Sequence, residues 1–210
     1  NYHLGFFRSL NKNDIFFQTT GRSTGLFANV DETQRLGLES SANGSFGNLD
    51  WFASYSFLDA SFQDNFRVLS PNHPNADGDG EIQVKSGDRL PGLPRHNIKI
   101  GVDYSFSENI SFGANLSHNS NQVIRGDESN QISKLSGYTI VNLRGRYRIN
   151  RHLEFFARVD NVFDTSYENF GLLGEEPSEV DIPLFRNFEN PRFLGPGAPR
   201  AGFVGLKLSM

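Results

Sequence analysis

Cysteine is absent from the 210 residues, and methionine and tryptophan occur once each. The missing cysteine excludes disulfides, thiolate metal sites and a cysteine nucleophile. Basic charge is not in excess: 20 Lys and Arg stand against 24 Asp and Glu, a net charge of -4, so the electrostatic footprint of a nucleic-acid surface is missing. No apolar run exceeds a few residues and mean hydropathy is -0.46. A spanning helix needs about 20 apolar residues, so a membrane protein is excluded in its helical form only. The opening Asn1-Tyr2-His3-Leu4-Gly5-Phe6-Phe7-Arg8 has neither the basic n-region nor the apolar h-region of a secretory signal. The chain starts without Met, straight into a candidate strand, as expected of a mature product or a piece of something longer.

What the chain does have is 20 Phe and 21 Gly. Bulky aromatics without the Leu, Ala and Met of helical cores point to an all-β chain. Period-two alternation supports this. Ile98, Ile100, Val102, Tyr104 and Phe106 oppose Lys99, Gly101, Asp103 and Ser105. Ile110, Phe112, Ala114 and Leu116 continue the pattern, then Val141, Leu143, Gly145 and Tyr147 against Asn142, Arg144, Arg146 and Arg148. Leu153, Phe155, Ala157 and Val159 oppose Glu154, Arg158 and Asp160, with Phe156 as the exception, and Val204, Leu206 and Leu208 oppose Lys207 and Ser209. The first half is noisier: residues 3–19 are one long strand or a hairpin broken at Asn11-Lys12-Asn13, followed by strands over 34–46 and 50–66. The total is about eight crossings.

The connections alternate in length. Gly47-Asn48-Leu49, Ser107-Glu108-Asn109 and Asn150-Arg151-His152 are tight, whereas residues 20–33, 67–94, 121–137 and 164–199 read as long loops rich in Gly, Pro, Asn, Asp and Ser. Short turns at one end and long loops at the other, with strands of 10 or more alternating residues, match an outer-membrane β-barrel. A soluble sandwich is the competing architecture, but its strands usually run nearer five or six residues.

Four stretches carry a family resemblance. Residues 137–167 contain Gly137-Tyr138-Thr139-Ile140-Val141-Asn142-Leu143 and Val159-Asp160-Asn161-Val162-Phe163-Asp164-Thr165-Ser166-Tyr167; the others are Gly87-Asp88-Arg89-Leu90-Pro91-Gly92-Leu93-Pro94-Arg95-His96, Asn29-Val30 with Gln34-Arg35-Leu36-Gly37-Leu38-Glu39, and Gly197-Ala198-Pro199-Arg200. In this order they resemble the C-terminal part of a TonB-dependent outer-membrane receptor. The resemblance implies an antiparallel transmembrane β-barrel portion, about the last eight of some 22 strands around a plug, located in the bacterial outer membrane. The plug and the earlier strands fall outside residues 1–210. It further implies energised uptake of a ferric siderophore or other iron chelate, with outer-membrane lipid, the plug, the remaining strands and the TonB complex as partners. The alternative is a small autonomous outer-membrane barrel with an adhesive or structural role. Family members usually end in an aromatic residue, where this chain has Met210. Asn161, Phe163, Asp164, Pro199 and Arg200 match motifs and are expected to be fold determinants.

Catalysis finds no anchor, so the chain reads as a non-enzyme. His3, His73, His96, His118 and His152 are scattered, and no nucleophile elbow accompanies the serines. Asp77, Asp79 and Glu81 alternate with glycines as a calcium loop begins, but position 12 counted from Asp77 is Asp88 rather than Glu. That leaves a weak loop-calcium candidate beside the reading of a solvated acidic loop, and no other cofactor. Arg144, Arg146, Arg148, Glu154, Arg158 and Asp160 share polar faces and are expected in the lumen, against a plug. An arginine on the lipid face would cost about 2 to 4 kcal/mol near the midplane. The ligand candidates are Phe66, Arg67, Phe170, Phe185, Arg186, Phe188, Arg192 and Phe193, since aromatic surface beside guanidinium donors suits a bulky anionic chelate. They equally suit pinning loops together.

Overall fold

A computed structural model describes residues 1–20, 24–175 and 190–209. Eight strands form one antiparallel meander: β1 (Tyr2–Thr20), β2 (Thr24–Phe46), β3 (Leu49–Phe62), β6 (His96–Ser105), β7 (Ile110–Asn119), β8 (Tyr138–Arg148), β9 (Leu153–Asp160) and β12 (Ala201–Leu208). Each pairs with the next in that order, and β1 and β12 are the two edges. Two hairpins stand in the connections, β4 (Phe66–Leu69) with β5 (Glu81–Val84), and β10 (Glu168–Leu173) with β11 (Arg192–Pro196). Among the described residues no helix is long and apolar enough to cross a membrane.

The tight turns follow from their residues. Gly47 takes φ +58° in the β2–β3 turn, a conformation without steric cost for glycine. Ser107 Oγ accepts the amides of Asn109 and Ile110, and Asn150 Oδ1 accepts those of His152 and Leu153. All three turns lie at one end of the meander, and the connections 63–95, 120–137 and 161–200 depart from the other.

Register shows why one face is apolar. Ile100 pairs with Leu116 and Leu116 with Val141, while Val102 pairs with Ala114 and Ala114 with Leu143. Tyr104 meets Phe112, and Tyr147 meets Phe155. These rows are open on their outer side: Ile100, Phe112, Leu143, Phe155 and Val204 are all exposed rather than enclosed in a core. An aromatic repeatedly faces a glycine across the strands, as in Phe7 and Gly37, Trp51 and Gly44, Phe52 and Gly101, Phe112 and Gly145, and Phe156 and Gly205. The ring covers backbone that glycine would leave bare. Phe156, the exception to alternation, is thereby explained: it lies on the polar face because Gly205 leaves room for it.

The loop expected over residues 20–33 is corrected. Residues 24–33 are strand, and all but Asp31 pair in register with β1. β3 ends opposite Thr33, so residues 24–32 project beyond the sheet as a two-stranded hairpin. With no third strand beside them, residues 25–27 at the tip are exposed on both faces and burial is confined to Val30 near the base, so alternation fades from the sequence. Residues 3–19 are correspondingly one strand. Asn13 takes φ +52° within it, and Asp14 then lies on the face of Thr33 and Arg35, accepting both at 2.6 and 3.0 Å.

The apolar core sits at the loop end. Phe62 is fully buried, edge-on to Phe16 at 5.4 Å and Phe66 at 5.1 Å; each such pair contributes about 0.5 to 1.5 kcal/mol beyond its area. Val30, Val68, Ile82, Val84 and Leu90 complete this core and fasten the β4–β5 hairpin onto β2 and β3.

Candidate functional site

The described parts of the three long connections form one interlocked cap. Ser70 Oγ donates to the Gly126 carbonyl at 2.6 Å, and Asn130 exchanges two 3.0 Å hydrogen bonds with the backbone of Arg89. Asp127 is the hub: its carboxylate accepts His73 Nε2, Ser129 Oγ and the Gln131 and Ile132 amides. The third connection joins through a parallel bridge from Arg125 to Leu172, and Arg192 donates to the Ser133 carbonyl at 3.2 Å. Ile124, Leu135 and Leu173 are buried at the junction.

Beside this junction, against the β1–β2 hairpin, lies a cavity of about 560 Å³. Its walls are Ile15, Phe16, Phe17 and Phe27 of the hairpin, Pro91, the segment Arg125, Gly126 and Glu128, and Phe170, Leu172, Leu173 and Gly174. The Arg125 guanidinium stands over the Phe170 ring, 5.7 Å from its centroid. Glu128 is buried, and one oxygen accepts the Gly126 amide at 3.0 Å. Burial pushes its pKa up to about 7, with the Asp127 charge adding to the shift and the Gly126 amide and Arg125 opposing it. The chamber therefore offers aromatic faces, one exposed cation and one carboxyl poised near neutrality. A ligand with flat or bulky apolar parts and an anionic group matches that inventory.

The ligand candidates divide. Phe170 lines the chamber. Phe66 is packed edge-on against Phe62 in the loop core, and Arg67 is paired with Asp77 and with Glu81, the latter at 2.7 Å. Arg192 ties the third connection to the second, and Phe193 covers Gly174 from the β11 side. Phe185, Arg186 and Phe188 lie outside the described residues, as does Met210. The acidic loop is an Asx turn, in which Asp77 Oδ1 accepts the amides of Asp79 and Glu81. Two of its three carboxylates are held by Arg67, and no cluster of three metal-ligating side chains is gathered among the described residues.

The polar-face residues come together as expected of one sheet surface. Arg144 pairs across to Arg158 in register, Arg146 to Phe156, and Arg148 to Glu154. Arg144 makes a two-pronged contact with Asp103, Arg158 meets Asp160 at 3.0 Å and lies over Phe203 at 4.7 Å, and Arg146 approaches Glu154 at 3.9 Å. Arg144, Arg146 and Arg158 line a shallow hollow of about 670 Å³ near the tight-turn end. Three of the motif residues bond the chain's own backbone and side chains: Asn161, at φ +50°, bonds Asn142, Thr165 and Ala198, while Asp164 accepts the Arg200 amide. Together they clamp the end of β9 to the start of β12.

Sequence reasoning missed Arg125, Glu128 and the hairpin aromatics Phe16, Phe17 and Phe27. Arg125 and Glu128 sit in the connection 121–137, read only as a long loop, and the hairpin residues fall partly in a strand and partly in the loop expected over residues 20–33.

Residues 1–162 match the family model described as TonB dependent receptor-like, beta-barrel. The chain belongs to the TonB-dependent receptors. Over 112 residues it is 30% identical to the metal-pseudopaline receptor CntO of Pseudomonas aeruginosa, a match spanning 50% of this chain and 16% of that one. As a TonB-dependent receptor portion it superposes on the siderophore receptor PiuA from Acinetobacter baumannii with a TM-score of 0.70 at 16% identity, covering 99% of this chain and 26% of that receptor. The copper transporter OprC gives 0.68 at 20% identity, over 100% and 28% of the two chains. The ferric-catecholate import receptor Fiu from E. coli K12 gives 0.66 at 20%, over 99% and 25%. These structural likenesses establish the fold. The 210 residues span about a quarter of the solved receptors they match, and the relatives are receptors and transporters, not enzymes.

Proposed function

We propose that this chain forms part of the wall and external cap of an outer-membrane receptor that takes up a metal chelate, most simply a ferric siderophore, under TonB energisation. The observation that carries the reading is the chamber walled by Phe16, Phe27 and Phe170 with Arg125 at its rim, on the elaborated end of a sheet whose apolar face is open. A chelate presents flat or bulky ligand groups around a charged centre, which aromatic faces and a guanidinium recognise. On this reading the open apolar rows meet lipid, and the Arg144, Arg146, Arg148, Glu154, Arg158 and Asp160 surface faces a plug inside the barrel. The unpaired edges β1 and β12 pair with further strands of the same receptor, since bare edges are costly in a bilayer.

The test is uptake of radiolabelled iron chelates by iron-limited cells carrying the receptor, its deletion, or Arg125→Ala with Phe170→Ala. Uptake that depends on the receptor and falls about tenfold or more in the double variant is expected, as when two anchoring contacts are lost from a site. Equal uptake of every chelate by wild-type and deleted cells would overturn the reading.

A further inference from the structure

Glu128 is the one carboxyl among the described residues that lines the apolar chamber. The acid is 4% exposed, while Arg125, three residues earlier, reaches the rim. A fold that needed only a loop brace would be served by an amide at this position. The Gly126 amide contact requires an acceptor oxygen, not a negative charge.

We propose that Glu128 makes ligand binding proton-linked, so that an anionic chelate seated against Arg125 and Phe170 binds the receptor in which the Glu128 carboxyl carries a proton, and the complex takes up that proton from solvent. This rests on the chelate-uptake reading above and assigns Glu128 as a residue that selects ligands by charge.

The step balances without further reactants: one O–H bond forms on the Glu128 carboxylate, and the proton comes from water or buffer. Its direction follows from Coulomb's law in a poorly hydrated chamber, where two like charges oppose one another far more than in bulk water. The charged neighbours of Glu128 are few. On its own loop they are Arg125, which favours ionisation, and Asp127, which opposes it. From the connection 63–95, His73 is engaged by Asp127, Asp88 feels the Asp127 charge, and Arg89 is tied to Asn130. The hairpin and β10 present Phe16, Phe27, Phe170 and Leu172 to the chamber, and none of these ionises. Glu128 titrates at about 7 because of its burial, so the empty receptor holds both forms near neutral pH and an arriving anion shifts it to the protonated one. A receptor competent only when protonated loses apparent affinity in proportion to that fraction. From pH 6 to pH 8 the protonated fraction falls about tenfold.

The experiment measures binding of two chelates of matched size to the receptor in outer-membrane vesicles at pH 6 and pH 8, for wild type and Glu128→Gln. The probes are a hexadentate ferric tricatecholate, which is anionic, and an uncharged ferric trihydroxamate. Expected is a loss of about tenfold in tricatecholate affinity on raising the pH of the wild type, and no change in Glu128→Gln, whose amide keeps the acceptor for Gly126. The uncharged probe, where it binds, is indifferent to pH in both forms. Calorimetry in two buffers of different ionisation enthalpy adds a direct count of protons taken up. Tricatecholate binding that is flat with pH in the wild type, or equally pH-dependent in Glu128→Gln, overturns the proposal and leaves chelate uptake standing. Binding of neither probe, in vesicles whose receptor shows heat-modifiable migration, overturns the chelate reading itself and this proposal with it.

Discussion

Asp127 holds His73 at 3.1 Å, and this buried contact joins two connections 54 residues apart. His73 Nδ1 accepts the Asn75 amide at 3.0 Å, which leaves Nε2 as the protonated nitrogen that donates to Asp127. The same carboxylate receives the Gln131 and Ile132 amides, so one side chain shapes its own loop and fastens it to the next.

Replacing Asp127 by Ala is therefore expected to loosen the cap. Four donors lose their acceptor in a buried setting, a loss of about 3 to 5 kcal/mol locally. Amide exchange of Gln131 and Ile132 accelerates, while the amides of β7 and β8 stay protected. Unchanged exchange at both positions contradicts the hub role.

The pairing of Phe156 with Gly205 predicts a steric effect on the sheet. An alanine at position 205 places its methyl within the volume of the Phe156 ring, and overpacking of this kind costs about 1 to 3 kcal/mol. Gly205→Ala alone should lower the temperature of heat-modifiable unfolding, and Phe156→Leu combined with it should recover part of the loss. Additive effects in that double-mutant cycle would show that the two do not interact.

The alternating strands β6 to β9 were legible in the sequence because their two faces meet different surroundings: Ile100, Leu116 and Val141 form one row and Lys99, Ser117 and Asn142 belong to the other face. The hairpin over residues 24–32 was not legible, since with one neighbouring strand its tip is exposed on both faces and only Val30 near its base is buried. Within the site, Phe170 was readable as an aromatic in a long loop. Arg125 and Glu128 were not, because what gives them meaning is Gly171 and Leu173 bonding to Arg125's backbone from a connection about 47 residues away. Contact at that separation leaves no periodic trace. Phe66 and Arg67 show the converse: the residue types fit a ligand, and the fold spends them on Phe62 and on Asp77 and Glu81.

The two ends of the sheet should differ in accessibility. This chain contributes no cysteine of its own, so Asp79→Cys, in the cap, and Glu108→Cys, in the β6–β7 turn, can be compared by a membrane-impermeant maleimide applied to intact cells. Asp79→Cys is expected to label and Glu108→Cys to label only after the outer membrane is opened. Labelling at position 108 from outside reverses the orientation.

Glu128 also predicts how the cap's own stability varies with pH, independently of any ligand. Its folded pKa of about 7 lies above the ordinary carboxyl value of 4.5, so the folded cap binds the proton more tightly than the opened one. The sign follows: at pH values below 4.5 both states are protonated and nothing is lost. As pH rises from there towards 7 the opened state ionises first and gains, and above 7 the penalty is constant. At about 1.4 kcal/mol per unit, the full loss is on the order of 3 kcal/mol. Exchange of the Gly126 and Asn130 amides, corrected for the intrinsic rise with pH, should therefore report progressively easier opening between pH 5 and pH 7. Glu128→Gln removes the ionisation, so its opening free energy should be flat across that range and exceed that of the wild type at pH 8. A wild type that is equally flat would mean that Glu128 ionises at the same pH in the closed and the opened cap, and that burial does not perturb it.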